Sequence, residues 1–416
     1  MTNTGRMKAI VKSRPVAGRE WPQGLRVEEV PVPRIQHPED MQLRVVAAGI
    51  CGTDVGISQS RESLRESMAR AHNDPIVLGH EFCGTLADAG EHARVRIARM
   101  LEQIAAHDPL VRNFVEGRSP DALSRDSRLI EFMQQHFYCS AEMHITCGWC
   151  HQCRLGDRHV CQNTVIKGMH QDGAFADYVV VPASNLILFR REELPVEIIA
   201  FMDALGNAVH TIQAVDVTGK TVVVLGAGVQ GLMATAVARH SGASHIWVTD
   251  FASPSPEGDR ECVESRLFRL AKQFGADDCF NVGVPESRER LVSVVMEVTG
   301  GTGVDAVLEV SGSYGAYPDA FRVVRMGGTI GLLGLPEGRF SLDFARDVIF
   351  RGITVRGVIG RRVFETWEVM RNLLKGGLAR ELMASDFVSH ILPLEEYQTG
   401  IDAILRRDAT KVILKP

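Results

Sequence analysis

Thr221–Ala238 reads TVVVLGAGVQGLMATAVA, and the reading of this stretch decides the fold. Five strand-favouring residues, Thr221–Leu225, run into Gly226-Ala227-Gly228-Val229-Gln230-Gly231, and a helical texture follows to His240. The stretch carries no charge, so a hydropathy scan would count it as a membrane span. Gln230 and three glycines interrupt it, however, and the turn-forming Thr218-Gly219-Lys220 precedes it. A buried strand, a tight turn and a helix is the better reading. The first glycine makes the turn, the second lets the backbone approach a pyrophosphate, and the third lets the helix pack closely on the strand. Gly226, Gly228, Val229, Gln230 and Gly231 are therefore the candidate cofactor cradle. Asp250 ends the next expected strand. An acid there bonds the adenosine ribose hydroxyls and repels a 2′-phosphate, which favours NAD over NADP. A glycine-rich structural turn is the plain alternative.

The texture continues outward from this core. Strand-like runs alternate with helical patterns at His245–Thr249, Leu267–Phe274, Ala306–Val310, Ala320–Val324 and Thr329–Leu333. Such alternation implies β-α-β units and a parallel sheet. After Gly360 a helix over about Glu365–Lys375 leads to a closing strand near Lys411–Leu414. Towards the N-terminus, residues 7–50 alternate apolar and polar positions in short runs broken by Pro31 and Pro33, a β-rich pattern. Residues of about 91–136 fit neither half. Val95, Ile97, Met100, Leu101 and Ile104 make one apolar stripe, Leu129, Ile130, Phe132 and Met133 begin another, and Glu116–Pro120 is a turn. A helical hairpin inserted in the β-rich domain is expected, packed on its own domain or a subunit partner, or else serving as a lid.

Nine cysteines stand in the chain, four of them at 147, 150, 153 and 161. An odd total argues against a disulfide framework. Cys147-x2-Cys150-x2-Cys153-x7-Cys161 is a four-thiolate spacing that closes the tetrahedral shell of a structural zinc; redox thiols are the alternative. A second constellation joins Cys51-Gly52-Thr53-Asp54 to Gly79-His80-Glu81. Thiolate, imidazole and carboxylate from Cys51, His80 and Glu81 suit a catalytic zinc with room for substrate. The remaining Cys83, Cys139, Cys262 and Cys279 read as ordinary thiols.

Composition bounds the function. The 416 residues fit two domains at roughly 150 residues each. Apolar residues make up 45% and charged residues 23%, which excludes global disorder. With 46 basic and 51 acidic side chains the net charge is −5, so no basic surface offers itself to nucleic acid or an anionic membrane. Met1–Lys12 is polar and lacks the apolar core of a signal peptide, and a cytoplasmic protein is expected.

Gly79-His80-Glu81-x2-Gly84-x5-Gly90-x2-Ala93 matches at every specified position the signature of zinc-containing alcohol dehydrogenases. Together with ICGTDV (50–55), HITCGWCHQC (144–153), GNAVHT (206–211) and Gly360-Arg361 with Phe364–Trp367 (FETW), it resembles the zinc-dependent medium-chain dehydrogenase/reductase superfamily. The likeness runs to its L-threonine 3-dehydrogenase branch. The resemblance implies an α/β protein. A GroES-like, β-rich catalytic domain would span about 1–193 with 361–416, and a Rossmann domain about 194–360. It also implies two zinc ions per subunit. Asp203 would be a further, exchangeable ligand of the catalytic zinc, and Gly334-Leu335 with Val358-Ile359 would contact NAD. A homo-oligomer, tetramer or dimer, is implied as well. Thr53 would take the proton of the substrate hydroxyl, and His144 would lie near a substrate amine. The threonine enzymes carry a relay histidine where this chain has Gly56, so the relay is expected to end in water. Extra residues also separate His80 from His144. The expected substrate is a small polar secondary alcohol, either a threonine-like 2-amino-3-hydroxy acid or related amino alcohol, or a polyol, cyclitol or amino sugar. The enzyme could also act as a reductase. A non-catalytic nucleotide or metal sensor is the competing class.

Overall fold

The computed structural model describes residues 5–252 and 262–416. The chain forms two units, Met1–Asp203 with Ile391–Ile401 and Val412–Pro416, and Ala204–His390 with Asp402–Lys411.

The first unit is β-rich. Its strands are β1 (Arg6–Lys12), β2 (Arg26–Pro31), β3 (Asp40–Gly49), β4 (Ile76–Val77), β5 (Phe82–Ala89), β6 (Phe137–Ala141), β7 (His144–Ile145), β8 (Val165–Ile166), β9 (Tyr178–Pro182) and β10 (Leu186–Arg190). A small antiparallel sheet has the order β2-β1-β4, and β7 pairs with β8. In the larger sheet β10, β6, β5 and β3 are consecutive neighbours, and β9 also pairs with β3. The period-2 pattern is visible in β3, where Met41, Leu43 and Val45 are buried while Arg44 is exposed.

The expected insert is helical, as four helices rather than two: Glu91–Ala105, Pro109–Val115, Pro120–Ser124 and Arg128–His136. Its breaks follow local chemistry. Asp108 caps Pro109–Val115 by accepting from the Leu110 and Val111 amides, and Ser119 caps the next helix ahead of Pro120. The buried face of the first helix is Ala93, Ile97, Ala98, Leu101 and Ala105, whereas Val95, Met100 and Ile104 are only half-buried. Alanines sit inside because the helix lies close to its neighbours, and the larger residues flank that face. Phe114 stacks on Phe132 at 3.8 Å between ring centroids, and Gln134 Nε2 donates to the Leu86 carbonyl of β5.

The second unit contains β11 (Thr221–Leu225), β12 (His245–Asp250), β13 (Asp278–Asn281), β14 (Val304–Glu309), β15 (Val324–Leu332) and β16 (Thr354–Gly357). Their order is β13-β12-β11-β14-β15-β16, all parallel. This is the dinucleotide-binding arrangement, whose strand order reverses beside the first strand. Val222–Leu225 are fully buried because helices cover both sheet faces. Each such side chain contributes about 1.5–3 kcal/mol of burial. The register aligns Leu225 with Thr249 and Glu309, and Leu332 with Glu309 and Gly357, so the strands end along one edge.

This unit runs past Gly360 to His390, because Trp367, Met370, Leu374 and Leu382 are buried. Two motifs of the resemblance meet here. A β-carbon on Gly206 would stand 2.3 Å from Arg361 Cδ, and His210 Nδ1 lies 3.0 Å from the Gly360 carbonyl. The chain closes with β17 (Val388–Pro393) and β18 (Lys411–Lys415), and Ile413 and Leu414 pair with Gly49 and Ala48 of β3. Among the described residues no helix is long and apolar enough to cross a membrane.

Candidate active site

Cys147, Cys150, Cys153 and Cys161 offer four sulfurs that all lie within 4.8 Å of one another. Cys161 Sγ is 3.6 Å from Cys147 Sγ and 3.8 Å from Cys150 Sγ. A tetrahedron with zinc–sulfur bonds of about 2.3 Å has edges of about 3.8 Å, so the donor set fits that ion. Amide N–H groups surround the sulfurs: Cys150 donates to Cys147 Sγ, and Cys147 and Asn163 donate to Cys161 Sγ. Burial pushes the Cys147 thiol up, but donors from Asn163 and the Trp149 and Cys150 amides outweigh it and bring it down to about 6. Burial raises Cys153 to about 12. All four sulfurs could be thiolates this close together only with a cation among them. The other thiols differ: burial raises Cys83 well above its ordinary value, and Cys139 and Cys279 to about 12. The side chain of Cys262 lies outside the described residues.

A second donor set gathers Cys51, His80 and Glu81, with one ligand atom of each within 4.8 Å of the others. Cys51 precedes the helix Gly52–Ser58. Gly79-His80-Glu81 fill the link between β4 and β5. Gly79 has φ +90, and a β-carbon there would lie 2.4 Å from Phe175, so only glycine makes this turn. His80 is 7% exposed and Glu81 fully buried. Three donors leave a fourth tetrahedral position open, the mark of a catalytic rather than a structural zinc site.

Asp54 sits against this trio, and the sequence reading gave it no role. It is fully buried, accepts the Cys51 amide at 2.8 Å through Oδ2, and faces His80 Nδ1 with Oδ1 at 3.6 Å. Burial alone would depress the imidazole, but the charges of Asp54 and Cys51 outweigh it and hold His80 above its ordinary value. The signal for Asp54 lies in its spacing, three residues after Cys51 at the start of a helix. Thr53 occupies the first turn of the same helix and is half-buried. A β-carbon on Gly56 would lie 2.8 Å from Leu64 Cδ1 and 3.4 Å from Arg61 Cδ, so these side chains fill the space beside it.

The ligand atoms of Asp203, Glu142 and His144 lie within 4.8 Å of one another. Buried Glu142 accepts both the His144 amide, at 3.0 Å, and His144 Nδ1, at 2.9 Å. Glu142 also escaped the sequence reading, although it stands two residues before the HITCG motif.

The nucleotide positions line the strand ends of the second unit. Gly226 has φ +107 in the turn after β11, Gly228 has open space where a side chain would stand, and a β-carbon on Gly231 would lie 1.7 Å from the Gly226 carbonyl. Turn, backbone access and close helix packing thus fall to the three glycines in that order. Val229 and Gln230 begin the helix Val229–His240, and Gln230 Nε2 donates to the Ala204 carbonyl. Asp250 Oδ2 accepts the Ala227 amide at 3.0 Å. Gly334 and exposed Leu335 follow β15, and Val358 and exposed Ile359 follow β16. Buried Glu309 was not singled out in the sequence, yet it ties the loop after β14 to the loop after β15. Its carboxylate accepts the Ser311 and Gly312 amides, and its carbonyl accepts those of Leu333 and Gly334. Burial raises its carboxyl above the usual range, against the pull of those donors.

Two family models match the chain. The alcohol dehydrogenase GroES-like domain covers residues 37–100 and 138–191, and the zinc-binding dehydrogenase domain covers 230–376. The gap in the first falls in the helical insert. The L-threonine 3-dehydrogenase of Caldanaerobacter subterraneus is 33% identical over 99% of both chains. That of Anaeromyxobacter dehalogenans is 34% identical over 98% of both. An alcohol dehydrogenase from Thermus sp. ATN1 superposes with a TM-score of 0.71 at 27% identity, covering 98% of this chain and 99% of that one. A zinc-binding dehydrogenase from Sinorhizobium meliloti, solved with NADP, gives 0.72 at 25% identity over 99% of each chain.

Proposed function

Because the chain belongs to the zinc-dependent medium-chain dehydrogenase/reductase family, we propose that it oxidises a small polar secondary alcohol to a ketone with NAD as hydride acceptor, with a threonine-like 2-amino-3-hydroxy acid or a related amino alcohol as substrate. It is a zinc-dependent alcohol dehydrogenase served by a nicotinamide nucleotide. The observation that carries the reading is the three-donor set of Cys51, His80 and Glu81 beside a separate four-thiolate set. One set closes a shell and the other leaves a position for substrate.

In this reading Cys147, Cys150, Cys153 and Cys161 hold a structural zinc, and Cys51, His80 and Glu81 hold a catalytic one, with Asp203 as a further carboxylate. Zinc held there would supply a Lewis acid that lowers the pKa of the alcohol, and a nicotinamide nucleotide would supply the hydride acceptor. Asp54 orients the His80 ring. Thr53 accepts the hydroxyl proton and passes it outward, and with Gly56 in place of a titratable side chain the proton leaves to water. Glu142, paired with His144, fixes that imidazole towards a substrate amine, and the Glu142 carboxylate suits an ammonium group. Gly226–Gly231 receive the pyrophosphate, Asp250 the adenosine ribose, and Gly334-Leu335 with Val358-Ile359 the nicotinamide half. Residues 1–203 with 391–401 and 412–416 form the catalytic part of this scheme, and 204–390 with 402–411 the nucleotide part. A cytoplasmic homo-oligomer is the expected form. The exposed edge strand β16, with exposed Ile349 and Phe350 before it, supports self-association.

The test is NADH formation at 340 nm by zinc-replete protein on L-threonine, L-serine, threoninol, sorbitol, inositols and amino sugars. Turnover of the amino alcohols supports the reading. Turnover of polyols alone would move the substrate class, and turnover of apolar alcohols alone would overturn it.

A further inference from the structure

The carboxylate at the end of β12 is already engaged by a cation. Asp250, with its side chain 7% exposed, accepts the Phe251 amide at 2.7 Å and Arg407 Nη2 at 3.0 Å through Oδ1, besides the Ala227 amide through Oδ2. A carboxylate has about four acceptor directions, and these donors take three of them. Arg407 Nη1 also donates to the Phe251 carbonyl at 2.9 Å. The guanidinium is thus anchored beside the position that would meet the adenosine ribose, with its side chain 38% exposed.

The backbone beneath it is unusual. The helix Tyr397–Leu405 ends with the Arg407 amide on the Ile404 carbonyl and the Asp408 amide on the Ala403 carbonyl. This is the paired closure in which the residue at Arg407 turns left-handed, and its φ is +63. Glycine occupies that position without strain. Here an arginine holds it, in a stretch Ile401–Pro416 that contains no glycine. Strain kept where the side chain reaches a ligand position points to a function of that side chain.

We propose that Arg407 is a specificity-determining residue of the nucleotide site: its guanidinium offsets the repulsion between Asp250 and a 2′-phosphate, so that the site accepts NADP as well as NAD. The proposal rests on the assignment of Asp250 to the adenosine ribose. An aspartate alone at this place rejects a 2′-phosphate, and a nearby arginine receives one. A planar guanidinium also matches the geometry of phosphate oxygens.

Fluorescence titration of NADH and NADPH tests this without any alcohol. Wild-type protein is expected to bind NADPH within about tenfold of NADH. Arg407→Gly is expected to weaken NADPH by about ten- to hundredfold, the loss of a charge-assisted hydrogen bond, and to leave NADH within about threefold. Its Tm should not fall, because glycine relieves the left-handed turn. Arg407→Leu should reproduce the nucleotide effect while keeping a β-carbon. Equal weakening of both nucleotides would overturn the proposal. So would a lower Tm with an unchanged NADPH-to-NADH ratio, which marks a mere latch, or wild-type binding of NADH alone. Binding of neither nucleotide by wild-type protein would refute the dehydrogenase reading itself, and the proposal with it.

Discussion

Asp54→Asn isolates what a buried carboxylate contributes to the three-donor site. Asparagine keeps the shape, and its side-chain oxygen can still accept the Cys51 amide now held at 2.8 Å. Fold stability should therefore change by less than about 1 kcal/mol, one neutral hydrogen bond replacing a stronger one. The face towards His80 is different. Oδ1 lies 3.6 Å from Nδ1, which leaves Nε2 as the ring nitrogen for a metal. The charge that orients the ring and raises its basicity disappears. Loss of such an orienting partner weakens metal affinity by about 10–100-fold, or about 1.4–2.7 kcal/mol. The assay is competition for zinc with a chromophoric chelator, read beside total zinc content and kcat. One zinc should become labile while the four-thiolate zinc stays, and kcat should fall in step with occupancy. Unchanged affinity of both zincs, with unchanged Tm, would refute the role given to Asp54. A collapse of Tm would instead show that the charge holds the helix start and not the metal.

Cys153→Ser should remove the other zinc, leaving one per chain by elemental analysis, with Tm about 10 °C lower, the effect of losing ~3–5 kcal/mol at this size; full zinc content in the variant would exclude the four-thiolate site. Gly231→Ala puts a β-carbon 1.7 Å from the Gly226 carbonyl; the helix or the loop must shift, so stability should drop by about 3 kcal/mol and NADH quenching should vanish, and wild-type binding would contradict the packing argument. His170 gives a pH dependence. Its Nδ1 accepts the Ile166 amide, its Nε2 meets Ser67 Oγ, and burial, aided by Arg70, holds its pKa down to about 4. The unfolded chain binds this proton near pH 6.5 and the folded chain does not, so the contribution is present above pH 6.5 and is lost as pH falls towards 4. Urea midpoints of His170→Gln should lack that part of the acid slope; an identical slope would remove His170 from it. Val355→Lys on β16, where Val355 is 42% exposed, should yield a smaller species in sedimentation velocity; an unchanged mass would move the interface elsewhere.

The legible parts of the site were those fixed by short-range rules. Cys147–Cys161 could be paired with zinc because two-residue gaps bring sulfurs together whatever the rest of the chain does. The strand–turn–helix around Gly226, Gly228 and Gly231 was legible because it is local: Gly226 turns with φ +107, and Gly231 packs against the Gly226 carbonyl. The insert was legible as helix from its stripe, but its count of four helices depended on the capping of Asp108 and Ser119.

Asp54, Glu142 and Glu309 were not legible in their roles. Each is a buried carboxylate whose partners are set by where strands and helix ends meet, and a lone acid in a sequence is most often solvated. Asp203 was named by likeness as a ligand beside Cys51, His80 and Glu81, and only the structure shows Glu142 and His144 as its neighbours. Arg407 meets Asp250 across 157 residues of chain, through a left-handed turn that no residue pattern announces. The sequence by itself determined the fold class, the four-cysteine donor set and the nucleotide fingerprint, because those rest on periodicity and spacing within a few residues, whereas joining Cys51 to His80 and Glu81 across 29 residues took the likeness to a known family. Only the tertiary structure decided which buried carboxylates face His80 and His144 and which cation faces Asp250, because those pairings exist only once distant segments share one desolvated space.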